Sequence, residues 1–262
     1  MRIEIVPRTS EIKYLGRQIT FEGAQRAELK NRVRGAWAKF MEHKDELTRT
    51  KYALSDRLRL FDAVVTLAVL YGAGTWTLTK EMERALRTTQ RRMLRAILGQ
   101  GRRKIERTIE STHAEENGNS EKDGDNETPE EDDRDLLEPW VEWIRRVTHN
   151  VENNLKRLNI KTWVEQARKR KWRLAAELYS GRGDQKWTHL ALQWNPQMHY
   201  DGTRPTARRA PARPNLRWTD ELHNFVRDNV RPERTWSEVC SNPEFWTTYE
   251  SNFINRESEL TS

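Results

Sequence analysis

Cysteine is all but missing from this chain: among 262 residues, Cys240 stands alone. A single thiol excludes an intrachain disulfide and agrees with a reducing compartment. With no base beside it in the sequence, Cys240 reads as a small buried apolar residue rather than a nucleophile. Long hydrophobic runs are missing too. The most apolar stretch, Phe61 to Tyr71, is eleven residues long, whereas about 20 are needed to cross a bilayer. Met1-Arg2-Ile3-Glu4 lacks the apolar segment and cleavage site of a secretory signal. The six histidines have no cysteine at zinc-knuckle spacing. Gly181-Arg182-Gly183 lacks the preceding strand and following Lys-Ser/Thr of a phosphate loop. These absences predict an intracellular protein of the nucleus or cytoplasm, with no metal, no cofactor and no membrane partner.

Apolar content is low, at 35% against 33% charged, but 11 Trp and six Phe can still build a core, because each aromatic buries a large area. The charge is unevenly spread. Residues 115–138 hold twelve carboxylates against Lys122 and Arg134, a local net of −10, so the remaining chain carries +17 where the whole carries +7. A folded fraction that basic favours a polyanion, with nucleic acid ahead of an anionic membrane.

Periodicity divides the chain into segments. Residues 2–6 and 11–20 lean towards β structure around Pro7, and predict a hairpin with Ile12, Tyr14, Ile19 and Phe21 at apolar positions. From Ala24, the residues Leu29, Val33, Trp37 and Phe40 fall on one helical stripe, with Arg26, Lys30, Arg34 and Lys39 on other faces. A second helix is expected from a Ser55 cap to about Leu70, apolar over enough of its circumference to be central. A third runs from Thr79 to Gly99, with Met82, Leu86, Met93 and Ile97 on one side and Arg84, Arg87, Arg91, Arg92 and Arg95 on the other. Residues 111–138 hold too little apolar surface to offset their ordering entropy, and read as a disordered acidic linker. Beyond it, Trp140, Trp143, Ile144 and Val147 begin a helix, and another covers about 160–179. Residues 195–217, with Pro196, Pro205, Pro211 and Pro214, form an extended basic loop, and short helices follow near 218–229 and 243–255. The expected fold is mostly α: a hairpin over 1–22, a helical domain over 23–110, the linker, and a second small helical module over 139–256.

Three basic clusters are candidate phosphate contacts. The first is Arg91, Arg92 and Arg95, with Arg102, Arg103 and Lys104 beyond the helix. The second is Arg168, Lys169, Arg170, Lys171 and Arg173, expected to point outward. The third is Arg204, Arg208, Arg209, Arg213 and Arg217 in the loop. Any one is as easily a solvated face, but three on so basic a background favour binding, with affinity and salt dependence yet no sequence readout. Among the tryptophans, Trp37, Trp163, Trp218 and Trp246 sit on apolar stripes and are expected in the core. Trp76, Trp187 and Trp194 lie near Gly or Pro turns and are the candidates for base stacking.

Landmarks in order carry a resemblance. They are Lys13-Tyr14-Leu15-Gly16, Ala36-Trp37, Arg57-Leu58-Arg59-Leu60-Phe61, Leu70-Tyr71-Gly72 with Trp76, and Gln90-Arg91-Arg92-Met93-Leu94-Arg95. Later come Trp172-Arg173-Leu174-Ala175, Trp187-Thr188, Trp194-Asn195-Pro196 and Arg213-Pro214-Asn215-Leu216-Arg217-Trp218-Thr219-Asp220. Over roughly 12–110 and 139–253 the chain resembles the C-terminal third of a non-LTR (LINE-type) retrotransposon reverse transcriptase: the end of the palm, the thumb and a Trp/Arg-rich tail. It departs at Ala212, where Gly is usual, and at Glu221, where a second Asp is usual. The resemblance implies that Tyr14 and Gly16 belong to a hairpin supporting the primer terminus, and that the helices after it grip a template–primer duplex. Polymerase chemistry needs carboxylates converging on divalent ions. The sole Asp-Asp pair, Asp132-Asp133, lies in the acidic segment with no apolar strand around it. The expectation is a non-enzymatic remnant that binds RNA, an RNA–DNA hybrid or duplex DNA. Three alternatives stay open: a protein-interaction module whose acidic segment folds back onto the arginines, a subunit that completes a separately encoded polymerase whose fingers and palm are supplied in trans, or a decayed element fragment that is translated and does nothing.

Overall fold

The structure, a computed structural model, describes residues 12–14, 16–20, 23–105, 137–179, 217–230 and 232–256. It is mostly α with a short hairpin at its start, as the periodicity predicts. Strands β1 (Ile12–Tyr14) and β2 (Arg17–Ile19) pair antiparallel, Ile12 opposite Ile19 and Tyr14 opposite Arg17. A two-residue turn favours positive φ, and Gly16 supplies it at +77°. The β-leaning residues 2–6 and Phe21 lie outside the described residues. Polar contacts tie the hairpin to α1 (Ala24–Glu42). The Gln18 amide donates to Glu28 Oε2 at 2.7 Å, and Arg32 donates to the Gly16 carbonyl at 2.6 Å. Ile12 and Tyr14, placed at apolar positions by the sequence, are instead 40% and 62% exposed. The cause is that β2 rather than β1 packs against α1.

After α2 (Lys44–Thr48), helix α3 (Leu54–Phe61) passes through a π turn at Asp62–Thr66 into α4 (Leu67–Val69). It starts a residue before Ser55, with Ala53 at the cap position and no side chain capping it. Its apolar breadth makes it central, with Leu58, Phe61, Val65 and Val69 all buried. Arg57, buried beside them, donates to the Ile97 carbonyl at 2.6 Å and so covers the end of the next helix. That helix, α5 (Lys80–Leu98), follows its signals closely. Thr79 Oγ1 accepts the Met82 amide at 3.2 Å, and Gly99 at φ +64° ends it.

Helices α6 (Trp140–Arg157) and α7 (Trp163–Tyr179) come next, then α8 (Asp220–Asn229), α9 (Trp236–Cys240), α10 (Pro243–Thr248) and α11 (Glu250–Asn255). The short α9 has no counterpart in the sequence reading. A capping box starts it: Thr235 Oγ1 accepts the Glu238 amide while the Glu238 carboxylate accepts the Thr235 amide. Most of the acidic segment lies outside the described residues. Its last two residues, assigned to the linker, belong to the folded part: Leu137 bridges Lys104, and Glu138 is buried.

The apolar core divides inside α7. One cluster joins Leu29, Phe40, Phe61, Trp76, Leu86 and Met93 to Val151, Leu155, Trp163 and Ala167, across the acidic segment. The other joins Trp172 and Ala175 to Leu222, Phe225, Trp236, Trp246 and Phe253. At its centre the Trp172 and Trp246 rings stack 3.5 Å apart, and each indole N–H donates to the other residue's carbonyl, at 3.2 and 3.1 Å. Gly74 lets the chain after α4 approach α7, since a Cβ there would lie 3.2 Å from the Arg170 carbonyl.

Candidate nucleic-acid interface

Helix α5 spends its apolar residues on the core, which leaves its arginines on the remaining surface. Arg91 is exposed and donates to Glu152 of α6 at 2.5 Å. Arg92 is exposed, its guanidinium 5.4 Å over the Trp37 ring. Arg95 is half-buried and donates to Thr148 Oγ1 at 3.1 Å. Burial first, then the like charges of Arg91 and Arg92, hold its pKa below the ordinary guanidinium value. Beyond the helix, Arg102 donates to the Glu138 and Leu137 carbonyls at 2.6 and 3.3 Å, while the Arg103 amide donates to Glu138 Oε2 at 3.3 Å. The Glu138 carboxyl is pushed down to about 2, chiefly by hydrogen bonds from Arg146, with burial acting against them.

The α7 cluster is not the outward-facing strip that the sequence predicts. Arg168 and Lys171 are buried, because α7 is enclosed by α5, by the turn at Ala73–Thr75 and by α11. Arg168 donates to Glu83 at 2.7 Å and to the Arg256 carbonyl at 2.8 Å. Lys171 donates to Glu221 at 2.6 Å, and Arg256 pairs with the same carboxylate. Glu221 thus holds two cations. Burial lowers the Lys171 pKa, with Glu221 opposing. Arg170 is half-buried and donates to the Leu70 carbonyl at 2.5 Å. Arg173 is exposed and pairs with Glu250 at 2.8 Å, and Lys169 is half-buried. Much of this cluster therefore fastens the tail to α7 instead of facing a ligand.

Of the loop cluster, only Arg217 is among the described residues. It is exposed, and its amide donates to Asp220 Oδ2 at 2.7 Å. Arg204, Arg208, Arg209 and Arg213 lie outside them, as do Trp187 and Trp194. Trp76, a stacking candidate in the sequence, is fully buried. The turn at Ala73–Thr75 carries its ring into the core rather than out to solvent. Trp163 and Trp246 are buried as expected, and Trp37 and Trp218 are half-buried against the two cores. At the hairpin, Tyr14 is exposed and the Gly16 carbonyl is held by Arg32.

A cleft of about 910 Å³ lies between α5, α6, the start of α7 and the end of α11. Arg87, Arg91, Lys156, Lys161, Arg168 and Arg256 line it, with Glu152 and Glu165 as the carboxylates. Gln90, 3% exposed, also lines it; its Oε1 accepts the Trp163 amide at 3.0 Å, and its Nε2 has no hydrogen-bond partner among the described residues. An unmet buried donor costs roughly 1–3 kcal/mol. An anionic oxygen or a water reaching it would remove that cost. Lys156, Lys161 and Gln90 were not candidates in the sequence, where nothing marks residues so far apart as neighbours. The break between α6 and α7, where Asn159 takes φ +53°, lies between the two lysines, and all three residues line the cleft.

The chain resembles a transposon-derived protein. Over 244 residues it is 28% identical to a Caenorhabditis elegans protein so named, a match covering 90% of this chain and 68% of the relative. That likeness is consistent with a transposon origin. No protein-family model matches the chain, and no solved structure does. Among the described residues, no helix is long and apolar enough to cross a membrane.

Proposed function

We propose that this protein is the thumb and tail portion of a non-LTR retrotransposon reverse transcriptase, acting as a nucleic-acid-binding module without polymerase chemistry of its own. The cleft carries the binding: Lys156 and Lys161 are exposed on its rim beside Arg87 and Arg91, and the buried Gln90 Nε2 has no acceptor among the described residues. Phosphate oxygens supply both the charge and the acceptor. The crowding of Arg91, Arg92 and Arg95 on one face of α5 points the same way, because a polyanion offsets the mutual repulsion of like charges. Parentage rests on the order of motifs from Tyr14-Leu15-Gly16 to Arg217-Trp218-Thr219-Asp220 and on the transposon-derived relative. In the parent family the thumb grips the template–primer duplex, and an A-form duplex offers a wide, shallow minor groove for that contact.

Fluorescence anisotropy with a labelled RNA hairpin, an RNA–DNA hybrid and duplex DNA, read across a salt series, tests this. Micromolar or tighter binding with a steep salt slope, strongest for the hybrid, is the expected result. No binding at low salt, with or without residues 115–138, would sink the reading. One observation favours a second reading, a polymerase partner in trans. Ile12, Tyr14, Leu67 and Tyr71 are exposed at 40, 62, 58 and 54%, and Gly16 borders Tyr71. Exposed apolar side chains on and beside the hairpin suit a polypeptide neighbour.

A further inference from the structure

The two ends of the acidic segment meet at an apolar outcrop that the cleft does not include. Lys104 and Leu137 form an antiparallel bridge, and α6 begins at Trp140. Ile105, Leu137, Trp140 and Val141 there are 46, 44, 59 and 56% exposed. The Trp140 ring lies 4.6 Å from that of Trp143 at an interplanar angle of 41°. Trp143 is itself pinned, its indole N–H donating to the Gln100 carbonyl at 2.8 Å. A fixed indole thus backs a second one that is presented to solvent.

The surroundings are basic. Arg102, Arg103 and Arg146 gather around Glu138, two residues before Trp140. Glu138 is engaged by Arg146 at 2.7 and 2.9 Å. Arg102 is bound to carbonyl oxygens, which orient a guanidinium without neutralising it. Such a surface suits an unpaired nucleotide, whose base takes the aromatic face and whose phosphate takes the cation. A duplex keeps its bases stacked on one another and offers no free face. An apolar protein partner would gain nothing from the surrounding guanidinium groups.

We propose that Trp140 is a base-stacking platform for single-stranded nucleic acid, with Arg102 and Arg103 holding the adjoining phosphates. This rests on the nucleic-acid reading above and adds a contact that the cleft does not provide, one that requires a base.

The test uses the full chain and two fluorescent single strands of equal length, an oligouridylate and the same backbone carrying abasic sites. The abasic strand keeps every phosphate and loses the stacking. Wild type should bind the base-bearing strand roughly tenfold or more tighter, the range expected for one stacked base. Trp140→Ala should erase that preference, and Trp140→Phe, which keeps an aromatic face, should retain most of it. Trp140 is more than half exposed, so these variants leave both cores intact. Equal binding of the two strands by wild type overturns the platform, and so does a Trp140→Ala variant that keeps the preference. In either case, salt-dependent binding of the abasic strand would leave the cleft reading standing. If neither strand binds, the platform falls, and the titration with the RNA–DNA hybrid decides the cleft reading separately.

Discussion

Lys156 and Lys161 bracket the turn from α6 to α7, line the cleft and are exposed. Replacing both with glutamine removes two charges from one rim and leaves the core untouched. Substitutions at such exposed positions usually move stability by no more than about 0.5 kcal/mol. Each lost phosphate contact lowers the slope of log K against log salt by about 0.9 on B-form duplex and about 0.7 on a single strand. The double variant should therefore give a line shallower by about 1.4 to 1.8. From 50 to 200 mM salt, that difference narrows the affinity gap between wild type and variant by roughly tenfold. The assay is anisotropy at four or five salt concentrations with one labelled ligand. The two lines should converge as salt rises. Parallel lines, or an unchanged affinity, would refute the assignment of these lysines to phosphate and remove the main support for the cleft.

Three further outcomes follow from the packing and the charges. Trp172→Ala removes one half of a stacked, mutually hydrogen-bonded pair and should cost about 3–5 kcal/mol in a denaturant melt; a loss under about 1 kcal/mol would contradict a core centred there. Glu138 titrates at about 2, below the usual carboxylate range. Its contribution to stability is then complete above that range and lost as pH falls towards 2. An NMR titration of its carboxyl carbon should show that low midpoint, and an ordinary midpoint would remove the Arg146 clamp. Burial raises the Cys240 thiol to about 12. The native protein should ignore Ellman's reagent at pH 8 and react on unfolding, whereas rapid labelling of the native chain would place Cys240 at the surface.

Local chemistry was legible in the sequence, and long-range pairing was not. Thr79 and Gly99 bound α5 as their residue types suggest, and the stripe Leu29, Val33, Trp37, Phe40 lies against the core. The Thr235-x-x-Glu238 box is a start signal in the sequence, but so short a helix leaves no periodicity to accompany it. Arg168 and Lys171 could not be placed, because their inward course depends on Glu83 and Glu221, which lie 85 and 50 positions away. Without a partner, a run of basic residues on a helix reads as a wet face; with two carboxylates brought in by the fold, it becomes an internal clasp. Trp76 misled for a related reason. Gly72 and Gly74 mark a turn, but the turn rolls the indole inward. The cleft unites residues from Arg87 to Arg256, a juxtaposition that no local window contains.

Helix α7 serves two masters, with Trp163 and Ala167 in one core and Trp172 and Ala175 in the other. It is a single rod of 17 residues, so the position of its far end fixes the position of its near end. Its first turn carries Glu165 at the cleft, and Ile254, Asn255 and Arg256 close the cleft from the chain's other extremity. A gene rearrangement with its breakpoint inside α7 would orphan both cores at once, and one that discarded the tail would open the groove on that side. The two halves are thereby joined as one structural block.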